Sequence, residues 1–146
     1  MVRKFQMQKI KIKYTHPNAK LTKPHPSDAC WDAVAVAKND LGYGRIQYKL
    51  GFSVELPRGT QLDMRPRSSI YKTGLSLCNS IVTGDEDYRG EYTVIFYHTV
   101  PTLPAYEVGD RVIQVQLVKK VPFIFEESES LTKTKRGVGG LGSSGK

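Results

Sequence analysis

Apolar and polar residues alternate along most of this chain with a period of two, the repeat of a half-buried β-strand. In "QKIKIKYTH" (8–16), Ile10, Ile12 and Tyr14 alternate with lysines. "RIQYKLGFSVELPRG" (45–59) sets Ile46, Tyr48, Leu50, Phe52, Val54 and Leu56 on one face and stops at Pro57 and Gly59. "EYTVIFYHTV" (91–100) and "DRVIQVQLVKKV" (110–121) are rich in β-branched and aromatic residues, and each follows a glycine. No helical period is sustained, and only "SSIYKTG" (68–74) has room for a single helical turn. Short strands punctuated by Pro, Gly, Asn and Asp predict an all-β sandwich or barrel. After "VPFIF" (121–125) there is little left to bury, so the pattern divides the chain into a β domain over 1–125 and a flexible C-terminal arm over 126–146.

Composition narrows this picture. A chain of 146 residues, 39% hydrophobic and 25% charged, suits one soluble domain with its own core. No apolar run is long enough for a membrane helix, and the opening "MVRKFQMQKI" lacks the apolar stretch of a secretory leader. Cys30 and Cys78 stand far apart without metal-type spacing, and are expected to be reduced and buried in a cytoplasmic compartment, or a nuclear one in a eukaryotic or viral host. The net charge of +8 is concentrated at the two ends: seven lysines and arginines fall in the first 23 residues, and Lys133, Lys135, Arg136 and Lys146 fall in the arm. Such a surface suits a polyanion or a phosphorylated small molecule, or is simply solvated. No helix-turn-helix, zinc-finger spacing or aromatic–arginine interleaving is present, so specific nucleic-acid binding is not expected.

The chemistry is densest in "RPRSSIYKTGLSLCNSIVTGDEDYRGE" (65–91). Arg67, Ser68 and Ser69 place a guanidinium, two hydroxyls and backbone amides in one turn, a cradle for an oxyanion. The Asn79 side chain offers a donor and an acceptor together, which suits a base edge. "GDEDYRG" sets Asp85, Glu86 and Asp87 beside Tyr88 and Arg89, and a carboxylate there can serve as general base toward water. Taken singly, each such turn is more often a plain connection between strands.

In order, five segments resemble the motifs of the trimeric dUTPase family: "DACWDAVA" (28–35), "RPRSSIYKTGL" (65–75), "NSIVTGDEDYRGE" (79–91), "VGDRVIQVQL" (108–117) and "RGVGGLGSSGK" (136–146). The resemblance implies a distorted jelly-roll (β-clip) subunit in a homotrimer, with active sites shared between subunits and a C-terminal arm that closes over the substrate. It implies Mg2+-dependent hydrolysis of dUTP to dUMP and pyrophosphate, which limits uracil incorporation into DNA. Asp85 matches the carboxylate that activates the attacking water. Tyr88 matches the ring under the deoxyribose, and Asn79 a residue that pairs with uracil. Arg67, Ser68, Ser69 and Gln114 fall on phosphate-contacting positions, and Asp32 on a carboxylate that acts near Mg2+ through water. In the arm, Arg136, Ser143 and Ser144 would meet the phosphates while Leu141 covers the base. The same arm spells GxxxxGK over 140–146, but no strand leads into it, as a P-loop requires.

Three departures from the family pattern stand out. Gly84 replaces an apolar residue before the catalytic Asp, and is expected to loosen the backbone there. Leu141 replaces an aromatic that stacks on uracil, and Cys30-Trp31 replaces Gly-Tyr before Asp32. Retained activity with weaker closure over the substrate is the expectation. Two other functions share much of this pattern. A dCTP deaminase would need a proton-shuttling Glu where this chain has Ile95, and a regulatory dUTPase-like binding protein would have no need to keep Asp85, Tyr88 and Arg136 together.

Overall fold

The computed structural model describes residues 7–142, and the elements below are those of the described residues. They are β1 (Lys11–Tyr14), β2 (Leu21–Thr22), β3 (Trp31–Val34), β4 (Ala37–Gly42), β5 (Arg45–Lys49), β6 (Phe52–Glu55), β7 (Thr60–Arg65), β8 (Leu75–Leu77), β9 (Val82–Gly84), β10 (Thr93–His98) and β11 (Arg111–Lys119), with one 3-10 turn at Ser68–Lys72. The all-β expectation and the single helical turn both hold. All strand pairs are antiparallel. One sheet runs β2-β3-β11-β7-β9, a second runs β4-β5-β10-β8, and β1 pairs with β6 alone.

The core is mainly aliphatic, with Tyr48, Phe52, Tyr92, Phe96 and Tyr106 as its aromatic members. Tyr48, Leu50, Phe52, Met64, Val94, Phe96, Val112 and Ile113 are fully buried. Tyr48, Phe96 and Tyr106 meet edge to face at centroid distances of 5.8, 6.3 and 6.0 Å, the arrangement favoured by ring quadrupoles. The Tyr48 hydroxyl donates to the Tyr106 carbonyl at 2.9 Å, which satisfies a polar atom that burial would otherwise leave costly. In β11 a bulge at Val112, between Arg111 and Ile113, lets two successive residues point inward.

The long alternating run from 45 to 59 is not one strand. It breaks at Leu50-Gly51, so that β5 joins the four-stranded sheet and β6 turns away to β1. Gly51 has φ of +67°, and a Cβ there would lie 2.9 Å from the Cβ atoms of Ala19 and His16. Only glycine fits both the dihedral and the space. The even-numbered apolar residues stay in phase across the bend, which is why alternation alone hides it.

The expected burial of Cys30 and Cys78 is not met. Both are free thiols with partial exposure, because each lies in a turn beside a short strand rather than within one. Regular structure ends with β11. Beyond it Val121, Phe123, Ile124 and Phe125 are 73 to 94% exposed, an unusual condition for four large apolar side chains in a row of five.

Candidate active site

Asp85 sits immediately after β9, which pairs with β7 through Leu62↔Gly84, Asp63↔Thr83 and Met64↔Val82. Asp63, buried in β7, fixes this edge strand. It accepts from the Thr83 hydroxyl at 3.3 Å and from the Gln61 amide at 2.9 Å. The three acidic residues of the following turn have different surroundings. Glu86 accepts from Lys120 Nζ at 2.7 Å and from the Gly59 amide at 2.8 Å. Lys120, and after it the Gly59 amide, hold the Glu86 carboxyl below the usual carboxylate range. Glu86 thus anchors the turn. Asp85 is exposed and lines a cleft of about 170 Å³ with Val82, Thr83, Gly84, Tyr88, Tyr92 and Thr93.

Tyr88 is held over that cleft. Its hydroxyl donates to the Glu91 carbonyl at 3.1 Å, and its ring meets Tyr92 edge-on at 5.3 Å. A Cβ at Gly90 would stand 2.9 Å from Tyr88 Cε2, so the glycine makes room for the ring. Arg89 folds back onto the turn, its Nη1 donating to the carbonyls of Glu86 (2.8 Å) and Tyr88 (3.2 Å).

Gly84 does not loosen this region as the sequence suggests. It is buried in a paired strand, and its φ is not positive. A Cβ there would lie 2.6 Å from Tyr92 Cε1 and closer still to the hydroxyl. The volume that a side chain at 84 would fill is occupied by Tyr92, which stacks on Phe52 at 5.4 Å with an interplanar angle of 24°. Alternation marks Tyr92 only as a strand-edge aromatic. The signal for its role is the pairing of a glycine with a bulky residue eight positions on, and that pairing is meaningful only in three dimensions.

The second cluster centres on Asp32. β11 carries Gln114 opposite both Asp32 in β3 and Arg65 in β7. Asp32 Oδ1 accepts from Arg67 Nε at 3.1 Å, and Oδ2 accepts from Arg111 Nη1 at 3.1 Å. Arg67 Nη1 also donates to the Arg111 carbonyl at 3.1 Å, which fixes the plane of the guanidinium. Gln114 Nε2 donates to the Pro66 carbonyl at 2.9 Å and so holds the entry to the turn that carries Ser68 and Ser69. Ser68 is exposed and Ser69 half-buried at the start of the 3-10 turn, where the Ile70 amide donates to the Arg67 carbonyl at 3.0 Å. Two guanidinium groups against one carboxylate leave a net positive corner, suited to phosphate.

Within one chain these two clusters do not meet. By the β7–β9 register Asp85 comes level with Gln61, and Arg67 lies six residues further along, roughly 20 Å at about 3.3 Å per residue. Asn79 is exposed in the turn between β8 and β9. Arg136 and Leu141 are exposed in the arm, where Arg136 Nε donates to the Gly139 carbonyl at 2.9 Å. Among the described residues no hydrogen bond joins the arm beyond 126 to the β domain. Ser143 and Ser144 lie outside the described residues.

Comparison with known proteins bears on the family and the fold. The dUTPase family model matches residues 19–145. The deoxyuridine 5'-triphosphate nucleotidohydrolase of Nocardia farcinica is 41% identical over 128 residues, covering 85% of this chain and 77% of that one. The enzyme of the same name from Wolinella succinogenes is 34% identical over 141 residues, covering 94% and 95%. Among solved structures, the dUTPase of Staphylococcus bacteriophage 80alpha with dUPNHPP superposes with a TM-score of 0.80 at 19% identity, over 95% of this chain and 99% of that one. A mutant dUTPase from phage phi11 of S. aureus, described as showing the coordination of a structural Mg(II) ion, superposes with a TM-score of 0.71 at 16% identity, over 84% and 98%. These likenesses establish the fold as the distorted jelly roll of that group. With its family model matched over nearly the whole length and relatives above one-third identity, this chain belongs to the dUTPase family.

Proposed function

We propose that this protein hydrolyses dUTP to dUMP and pyrophosphate, as the names of its curated relatives state for them. The observation that carries the reading is the Asp85 turn. An exposed carboxylate borders a cleft beneath Tyr88, while its neighbour Glu86 is occupied in holding the turn. Asp85 takes a proton from water as the water oxygen bonds to the α-phosphorus. The bond from that phosphorus to the bridging oxygen breaks, and pyrophosphate leaves with the electron pair. Tyr88 packs against the deoxyribose and Asn79 reads the uracil edge. Arg67, oriented by Asp32, meets the phosphates together with Ser68 and Ser69. Gln114 acts by holding the Pro66 carbonyl and so the shape of that turn. Arg136, Ser143 and Ser144 of the arm complete the phosphate contacts, and Leu141 covers the base.

Among the described residues no three His, Cys, Asp or Glu side chains gather as a metal site. The donor set suits a Mg2+ held chiefly by the triphosphate. Asp32, with each oxygen already accepting from an arginine, would contact it through water. When bound, the ion neutralises phosphate charge and favours departure of pyrophosphate.

Two observations support a homotrimer with shared sites. The roughly 20 Å of strand between Asp85 and Arg67 is a long reach for one substrate within a single chain, which supports clusters drawn from different chains. The apolar residues 121–125 and a groove of about 470 Å³ lined by Ile10, Ile12, Tyr14, Trp31, Val115 and Leu117 both lack cover among the described residues. Residues 126–146 serve as the closing arm. Deamination is disfavoured because Ile95 cannot carry a proton. Among the described residues no helix is long and apolar enough to cross a membrane, and a cytoplasmic setting suits an enzyme of the nucleotide pool.

The test is pyrophosphate release from dUTP with Mg2+, beside dCTP, dTTP and UTP. Rapid release from dUTP alone is expected, and no release from dUTP overturns the reading.

A further inference from the structure

Asp85 stands just past the last paired residue of β9, an edge strand of three residues. The hydrogen bonds of Tyr88 and Arg89 stay within residues 85–91, so they shape the turn without fixing it to the sheet. Among the described residues, the side-chain tie that leaves the turn is made by Glu86, which accepts from the Gly59 amide at 2.8 Å and from Lys120 Nζ at 2.7 Å. Lys120 follows β11, two strands away from β9 in the order β11-β7-β9, and its side chain passes the Gly59 corner before β7 to reach Glu86. Gly59 closes the knot, because its carbonyl accepts from the Lys120 amide at 2.9 Å while its own amide serves Glu86. Its φ of +79° sets that corner in a conformation that favours glycine. The knot adds little to stability, since the Lys120 and Glu86 side chains are 41 and 30% exposed and solvent screens such a pair. Its consequence is geometric.

We propose that Lys120 is a positioning residue for the Asp85 turn, acting through Glu86 to tie that turn to the end of β11, where the chain leaves the sheet for the arm. This rests on the reading that Asp85 is the base toward water. The tie takes the middle one of three successive carboxylates and leaves Asp85 open to the cleft. A base that must meet a water in line with a phosphorus has to be held closely, and a displacement of about 1 Å can cost on the order of 10²-fold in rate. Asp85 itself accepts no side-chain hydrogen bond among the described residues, so its place is set by the backbone on either side of it. On one side that backbone is the β9 ladder, and on the other it is Glu86.

The test compares the full chain with Lys120→Met, Glu86→Gln and Lys120→Arg, by dUTP turnover with Mg2+ and by amide hydrogen exchange read by mass. Lys120→Met and Glu86→Gln should each lose about tenfold in kcat while KM for dUTP stays within about twofold. Combined, they should lose no more than either alone, because both break the same link. Lys120→Arg keeps the charge and should retain most of the rate. The melting temperature of Lys120→Met should stay within a few degrees of wild type, as a half-exposed pair predicts. In Lys120→Met, peptides covering 84–91 should lose protection from exchange while those of β5 and β10 keep theirs. Unchanged kcat, losses that add in the double variant, or a rise in KM alone overturns the proposal. The exchange measurement does not depend on turnover. If the wild type releases no pyrophosphate, the reading of Asp85 fails, and exchange over 84–91 alone decides whether Lys120 holds the turn. Unchanged exchange there refutes the tie whatever the rate.

Discussion

Replacing Gly84 by alanine tests whether Tyr92 has taken the space of a side chain. The added methyl would lie 2.6 Å from Tyr92 Cε1 and 2.7 Å from Cζ, well inside ordinary contact. Neither partner yields easily. Gly84 is tied to Leu62 in the β7–β9 ladder, and the Tyr92 ring is pinned by Phe52 and Tyr88. Overpacking of this kind costs about 1–3 kcal/mol. For a domain of this size that is a fall in melting temperature of roughly 3–15 °C, measured at one fixed protein concentration because assembly contributes. The second arm of the experiment is Tyr92→Leu, which opens a cavity by itself but leaves room for a methyl at 84. In the double variant the two losses should not add, with a coupling of about 1 kcal/mol or more in the cycle. Gly84→Ala with unchanged stability, or strict additivity, would refute the account of this strand as a volume exchange. Loss of turnover in Gly84→Ala should exceed what its stability loss explains, because Asp85 is the next residue.

Other outcomes follow from the same geometry. Asp32→Ala frees Arg67 and Arg111 at once; stability should fall by about 1–2 kcal/mol in urea unfolding, since these pairs are only partly buried, and KM for dUTP should rise. Leu141→Phe should lower KM by about fivefold or more through stacking on the base, measured by steady-state kinetics, with kcat little changed. In alkaline titration the folded phenols of Tyr48 and Tyr92 stand near 12 while those of the unfolded chain ionise near 10. Their contribution is complete below pH 10 and is lost as pH rises from about 10 to 12, so chemical denaturation should show stability falling across that window.

β1, β5, β6 and β10 were legible because each carries a two-residue period, and β11 because it is rich in β-branched residues, whereas β2, β3, β4, β7, β8 and β9 carry no such clear signal. The break at Gly51 was not legible, since Leu50 and Phe52 keep phase through the bend and only the glycine betrays it. The site was legible as motifs but not as a mechanism. Asp85 and Tyr88 are neighbours in sequence and in space, whereas Asp32, Arg67 and Arg111 come together from three elements, and their ion pairs need coordinates. Gly84 shows the limit most clearly: read along the chain it is a loss of rigidity, and in the fold it is the complement of Tyr92. The proposed division of labour between chains is not legible from spacing, because the argument for it rests on the β7–β9 register.

That division is also where the account is most exposed. If the Asp85 and Arg67 clusters that serve one substrate come from different chains, two inactive variants can repair each other. Asp85→Asn and Arg67→Ala, each inactive alone, are mixed in equal amounts, dissociated and reassembled, and pyrophosphate release from dUTP is followed. Random reassembly in a closed ring should give an intact pairing in about one site in four, and activity near that share of wild type. A mixture as inactive as its parents, once exchange of chains is verified by mass, would contradict the shared site.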